Sequence, residues 1–185
     1  LEQIIAGCDR ATHLVAQLLT LARLDAGTPQ AMQEVALRPI AEAVLAMSAG
    51  EAIERGCELS LREGDARVQG DALLLEVLLR NLVDNALRHS GATRVDVSIE
   101  AAGKRAVLTV SDNGCGIAVD QRERVQQRFY RSASTNSPGS GLGLSIVGRI
   151  AELHGGTLDI DSAATDSGLL LHLRLPLAGL ERKID

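Results

Sequence analysis

"DALLLEVLLRNLVDNALRHS", Asp71 to Ser90, is the stretch on which the fold turns. Leu74, Leu75, Leu78, Leu79, Leu82, Val83, Ala86 and Leu87 recur at three-four spacing and form a broad apolar arc. The segment therefore reads as one long helix laid on a core, with Asp71 as its N-cap. Asn81, Asn85 and His89 follow each other at i,i+4 and stack on one stripe, with Asp84 and Arg88 along the neighbouring ridge. Asparagine is a mediocre helix former, so a pair in mid-helix is either a solvated face or has a purpose. The purpose open to it is to offer a carboxamide oxygen to a hard cation that keeps several waters.

Outward from this helix, "TRVDVSIE" and "RAVLTVSD" resemble a hairpin about Ala101 to Lys104, and "GTLDIDS" and "GLLLHLRLPL" supply two further strands. Between these pairs lies a helical segment, Leu142 to His154, after the Gly/Ser/Pro-rich loop Arg131 to Gly141. Upstream, Val35 to Leu37 can form a short strand, and "RPIAEAVLAMSAGEAIERG" a helix with Pro39 near its first turn and Gly56 at its stop. "CELSLRE" and "ARVQG" read as short strands joined at Gly64 and Asp65. Strands linked by hairpins, with no regular βαβ repeat, predict an α/β (α+β) two-layer sandwich. Its mixed, mainly antiparallel sheet is covered on one face by helices.

An N-terminal helix, Leu1 to Leu24, is expected outside that sandwich. Leu1, Ile4, Ile5, Cys8, Ala11, Val15, Leu18, Leu19 and Ala22 give it an apolar seam. The seam either packs on the following domain or meets another helix, and its heptad-like spacing favours a bundle or dimer seam. "DAGTPQ", Asp25 to Gln30, breaks the helix. The organisation predicted is a helix over 1–27, a linker over 28–34, a domain over 35–178 and a tail over 179–185.

Composition bounds the function. The chain has 185 residues, 45% of them hydrophobic, with a single aromatic pair, Phe129 and Tyr130, so Leu, Val, Ile and Ala must build the core. Nothing supplies stacking platforms for single strands, and a net charge of -5 without a basic stripe argues against nucleic acid as a partner. Cys8, Cys57 and Cys115 lack metal-ligand spacing and leave an odd thiol, as in a reduced intracellular protein. No apolar run approaches the roughly 18 residues of a membrane span. The opening Leu1, where Met would stand, reads as the start of a fragment.

Two more segments carry chemistry. "VSDNGCGI", Val110 to Ile117, ends a strand in a DxGxG pattern, Asp112, Gly114 and Gly116. This is either a turn or a place where a planar ligand meets glycine backbone while the Asp carboxylate accepts from an exocyclic amine. "GSGLGLSIV" sets Gly139, Gly141 and Gly143 at alternate positions before a helix, with Ser140, Leu142 and Leu144 between and after them. Its free N–H groups and positive helix end suit phosphates. It is neither a P-loop nor a dinucleotide fingerprint. Polar helix, DxGxG and glycine loop, in that order, describe a nucleotide pocket.

With "RFYR" between them, these segments resemble the N box, first glycine box, F box and second glycine box of the sensor histidine kinases of bacterial two-component systems. That family shares its Bergerat-type ATP fold with gyrase, heat-shock chaperone and mismatch-repair ATPases. The resemblance covers about Pro39 to Leu177, and "CDRATHLVAQLLTLARLDAG" is similar to the second helix of the dimerisation and phosphoacceptor hairpin. It implies ATP and Mg²⁺ as ligands, with Asn85 on the metal and Asn81 supporting the phosphate and metal side. Arg88, His89 and Arg131 would approach the phosphates. Asp112 would receive the adenine amino group, Gly114, Gly116 and Ile117 would form the ring's walls, and Phe129 and Tyr130 would anchor a lid. Gly139, Ser140, Gly141, Leu142, Gly143 and Leu144 would form the lid's end. It further implies a response-regulator receiver domain as partner and a homodimer through the hairpin. The domain is expected to be cytoplasmic, with any membrane attachment through N-terminal segments outside this sequence in a parent of the bacterial inner membrane. The phosphoacceptor H box is not found, because His13 lacks its acidic, Arg and Pro neighbours. The chain is thus expected to bind ATP and to need a separate histidine. The alternatives are a gyrase-type ATPase or a non-catalytic nucleotide-binding and dimerisation module.

Overall fold

The computed structural model describes residues 12, 14, 15, 17–22, 24, 32–130, 140–162 and 168–179. Cys8, His13, Arg131, Gly139, most of the 131–141 loop and the tail from 180 onward lie outside the described residues. In chain order come β1 (Gln33–Ala36), α1 (Leu37–Glu54), β2 (Glu58–Leu61), β3 (Arg67–Gly70) and α2 (Ala72–His89). They are followed by β4 (Arg94–Ala102), β5 (Arg105–Asp112), α3 (Gly143–Leu153), β6 (Thr157–Ser162) and β7 (Leu169–Pro176).

A five-stranded sheet runs β2-β4-β5-β7-β6. Only β2 and β4 are parallel; the other neighbours are antiparallel. Alternation decides its faces. Val95, Val97 and Ile99 of β4, Ala106, Leu108 and Val110 of β5, and Leu169, Leu171, Leu173 and Leu175 of β7 are buried. They meet the apolar arc of α2, which is buried at every position named for it, together with Ile146, Val147 and Ile150 of α3. The opposite face is polar and half-buried: Ser98, Thr109, His172 and Asp159 stand in one row across the strands. The two-layer sandwich with helices on one face is the architecture that the sequence predicts.

The α2 N-terminus is fixed twice. Asp71 accepts from the N–H groups of Leu73 and Leu74 at 2.8 and 3.0 Å, and its own N–H donates to His154 Nε2 at 3.1 Å. His154 Nδ1–H in turn donates to Ile150 O at 2.7 Å, so the buried ring is neutral and in one tautomer. Burial pushes the His154 pKa down, with the Ile150 carbonyl and Asp71 opposing. A Cβ on Gly70 would lie 2.6 Å from His154 Cδ2, so the strand before α2 needs a glycine there.

Three local expectations shift. The hairpin forms as expected, Ala102 opposite Arg105, but β2 and β3 do not pair: β2 joins β4, and β3 joins β1 in a two-stranded sheet. Leu37 opens α1 where a strand end was expected, and its N–H donates to Ala66 O at 3.0 Å. The described residues of the seam expected on the N-terminal helix, Val15, Leu18, Leu19 and Ala22, are exposed, and a different face of the helix packs on the domain. Gln17, Leu21 and Leu24, on one face, are buried at 7, 5 and 5% exposure, whereas Leu14, Val15, Leu18 and Leu19 on the other are 39 to 55% exposed. Among the described residues no helix is long and apolar enough to cross a membrane.

Candidate functional site

Asp112 closes β5 with its side chain directed into the core layer, 4% exposed. Its Oδ1 accepts from Gly114 N–H at 2.8 Å. Burial pushes its carboxyl above the ordinary range, while the Gly114 and Leu169 N–H groups and the Ser90 hydroxyl draw it back. Three chain segments converge here, and glycines make the convergence possible. A Cβ on Gly114 would collide with Ser90, one on Gly168 (φ 111) with the Asp112 carbonyl, and one on Gly116 (φ 67) would lie 2.8 Å from Gly168 O. Cys115 N–H donates to Ser90 O at 2.9 Å, closing the turn on the end of α2. Ile117 leaves this turn half-buried against the core, its carbonyl accepting from Arg122 Nε at 3.4 Å. Arg122 also reaches Ile160 O at 3.4 Å and the Ser162 hydroxyl, which ties the turn to β6.

The second wall is the polar stripe of α2. Asn81, Asn85 and His89 are half-buried along it. Asn81 Nδ2 donates to Val77 O at 2.7 Å, which leaves Oδ1 turned toward α3, where a Cβ on Gly143 would come within 3.3 Å of it. Helix α3 starts at Gly143 with no side-chain cap among the described residues, so its positive N-terminal end stands beside that oxygen. Ser140 Oγ accepts from Leu142 N–H at 3.2 Å. Leu142 and Leu144 pin the approach, 0 and 8% exposed. Gly141 has φ 70 and no room for a Cβ, which would lie 2.7 Å from Tyr130 O, and its carbonyl accepts from Phe129 N–H at 3.0 Å.

Not every expected residue joins this constellation. Arg88 forks onto Glu51 of α1, Nε to Oε1 at 3.0 Å and Nη2 to Oε2 at 2.8 Å. Burial acts to raise the Glu51 carboxyl, but Arg88 and then Arg55 hold it below its ordinary value. Phe129 has φ 63 and is 66% exposed, and its N–H holds the Gly141 carbonyl at 3.0 Å. Tyr130 lies under the Arg124 guanidinium, 4.8 Å from ring centroid to Cζ. Sequence reading passed over Ser90, Gly168, Arg122 and Gln17. The "HS" after the stripe and the glycine before "LLLHLRLPL" were visible, but nothing local says that they meet Asp112.

The arrangement sets a buried carboxylate acceptor among close-packed glycines at one end, and the start of α3 with the Asn81 and Asn85 carboxamides at the other. Among the described residues there is no group of three or more His, Cys, Asp or Glu that could hold a metal ion. The oxygens on the α2 stripe are carboxamide oxygens, a donor type that a hard cation accepts beside water.

Residues 70–179 match the family model described as "Histidine kinase-, DNA gyrase B-, and HSP90-like ATPase". Sensor protein kinase PmrB of Pseudomonas aeruginosa is 40% identical over 179 residues, 95% of this chain and 38% of that protein. Sensor protein QseC of Salmonella typhimurium is 42% identical over 168 residues, 89% and 36% respectively. The chain thus spans little more than a third of these relatives. Among solved structures, the mycobacterial sensor histidine kinase MprB superposes with a TM-score of 0.70 at 31% identity, over 79% of this chain and 97% of that one. Full-length ShkA in complex with AMPPNP gives 0.80 at 26%, over 91% and 36%.

Proposed function

Since the chain belongs to the histidine kinase-, DNA gyrase B- and HSP90-like ATPase family, and is the ATP-binding catalytic domain of a sensor histidine kinase, we propose a residue-level assignment of that activity. The adenine ring enters the recess walled by Gly114, Gly116 and Ile117, its amino group donating to Asp112. The triphosphate runs toward α3, taking the N–H groups at Gly143 and the loop of Ser140 and Gly141. Asn85 holds Mg²⁺, with Asn81 and His89 lining the same end; when bound, the ion neutralises phosphate charge. What supports the reading is the buried Asp112 carboxylate, held by Gly114 N–H at a turn where Gly114, Gly116 and Gly168 let three backbone segments close on one another.

The chain's own residues position and neutralise. The reaction proposed for the whole protein is attack of a histidine imidazole nitrogen, from a hairpin helix outside the described residues, on the γ-phosphorus. An N–P bond forms as the β,γ-bridging P–O bond breaks and ADP leaves. A receiver-domain aspartate then takes the phosphoryl group, and two copies pair through their hairpins. The complex of full-length ShkA with AMPPNP supports the nucleotide step, and the similarity to sensor proteins PmrB and QseC supports the signalling role. The domain boundaries proposed are a helix over 1–27, a linker over 28–34, a catalytic domain over 35–178 and a tail over 179–185, in a cytoplasmic domain of a membrane-attached parent.

Calorimetric titration with ATP, ADP, adenosine and GTP, with and without Mg²⁺, tests the pocket. Asp112→Asn should weaken every adenine ligand by about 1.5–3 kcal/mol whether or not Mg²⁺ is present, because a charge-assisted acceptor is lost. Asn85→Ala should leave adenosine untouched and weaken only Mg²⁺-dependent ATP binding, since alanine keeps the helix. Equal ATP affinity in Asp112→Asn and the parent would place the ring elsewhere.

A further inference from the structure

Among the described residues of the N-terminal helical segment, Gln17 is polar and buried, 7% exposed. Its carboxamide joins two elements remote in sequence: Nε2 donates to Asn81 Oδ1 at 3.2 Å, and Oε1 accepts from Ser140 Oγ at 2.6 Å. Leu21 and Leu24 follow at i+4 and i+7 on the same face, each 5% exposed and part of the main core. The amide is therefore held in place by packing and is not a loose surface contact.

Its two partners have fixed roles. Asn81 Nδ2 is already committed to Val77 O, so Oδ1 can only accept. Ser140 Oγ already accepts from Leu142 N–H, so its proton is the part offered outward. One side asks for a donor or a cation, the other for an oxygen acceptor. A carboxamide supplies one of each on adjoining atoms without charge. Both partners belong to the proposed phosphate end of the pocket, beside the uncapped start of α3.

We propose that Gln17 is an intrachain occupant of that end: Nε2 stands where a cation or its bound water would face Asn81, and Oε1 stands where a phosphate oxygen would face Ser140. The docked N-terminal helix and the phosphate chain of a nucleotide are then mutually exclusive ligands of one site. Phosphate-bearing nucleotide releases the helix, and holding the helix down weakens the nucleotide by the same factor. The inference rests on the nucleotide reading of the pocket and adds to it a direction of coupling, from the helix to the phosphates but not to the ring.

Titrations of the whole chain with Mg²⁺-ATP and with adenosine are run on the parent, Gln17→Ala and Gln17→Met, the last keeping length and helix preference without the hydrogen bonds. Losing two net hydrogen bonds of the docked form should tighten ATP by about 5- to 30-fold in both variants and leave adenosine as in the parent. Hydrogen exchange supplies a second readout: amides of residues 17–22 should lose protection in the parent when ATP is added, and keep it with adenosine. Parent-like or weaker ATP binding in both variants, with adenosine still bound, overturns the competition and makes Gln17 a strut. If neither ligand binds any of the three proteins, the nucleotide reading falls, and this inference with it.

Discussion

Each polar side chain in the buried layer answers to a neighbour that dictates its state. His154 is the clearest case, because its ring is used at both nitrogens and must stay neutral. Its pKa is pushed below the ordinary 6.5 by burial. An unfolded chain therefore binds the proton first as pH falls, so the stabilisation is whole above about pH 6.5 and drains away below it, toward the depressed folded value. Urea midpoints for the parent should drop between pH 7.5 and 5.5, and His154→Gln should flatten that drop while lowering the plateau. Glu51 and Asp96, whose carboxyls are held below 4.5 and 3.8, lose their contributions only in more acid solution and do not confound the window. A drop of equal size in both proteins would mean that another group titrates there. Asp112 shows the limit of reading a residue from its motif. "DNGCG" announces an acceptor beside glycines, but Ser90, Leu169 and Gly168 complete its surroundings from segments whose local sequence carries no sign of the meeting.

Among the elements, α2 was legible from end to end because its signals are local: an N-cap Asp, an unbroken apolar arc and a polar stripe. The short strands were not. β2 and β3 have four residues each and partial alternation, so pattern could mark them as extended but could not choose partners, which depend on contacts far along the chain. Arg88 belongs to this scale too, since the partner that claims it lies on α1. Arg88→Ala removes a fork that is half-exposed on the arginine side, and should cost about 0.5–1 kcal/mol in urea unfolding while leaving ATP affinity unchanged. A tenfold loss of ATP binding at parental stability would return Arg88 to the phosphates.

For the whole molecule, the uneven burial of the N-terminal segment is decisive. One face belongs to the catalytic layer and the other exposes Leu14, Val15, Leu18 and Leu19. Such a strip favours contact with a second apolar helix. Sedimentation at rising concentration should show weak, concentration-dependent pairing, abolished by Leu18→Glu together with Leu19→Glu. A tight dimer that survives both changes would put the contact on another surface. The near absence of aromatic residues has an optical consequence. With no Trp and a single Tyr, absorption at the long-wavelength edge of the near ultraviolet, and the emission it excites, come from Tyr130, Phe129 absorbing only at shorter wavelength. That ring sits under a guanidinium at the rim of the glycine loop, next to the backbone that closes on Gly141. The chain thus carries one native tyrosyl fluorophore, placed beside the glycine loop, and selective excitation of it reports on that loop without any label.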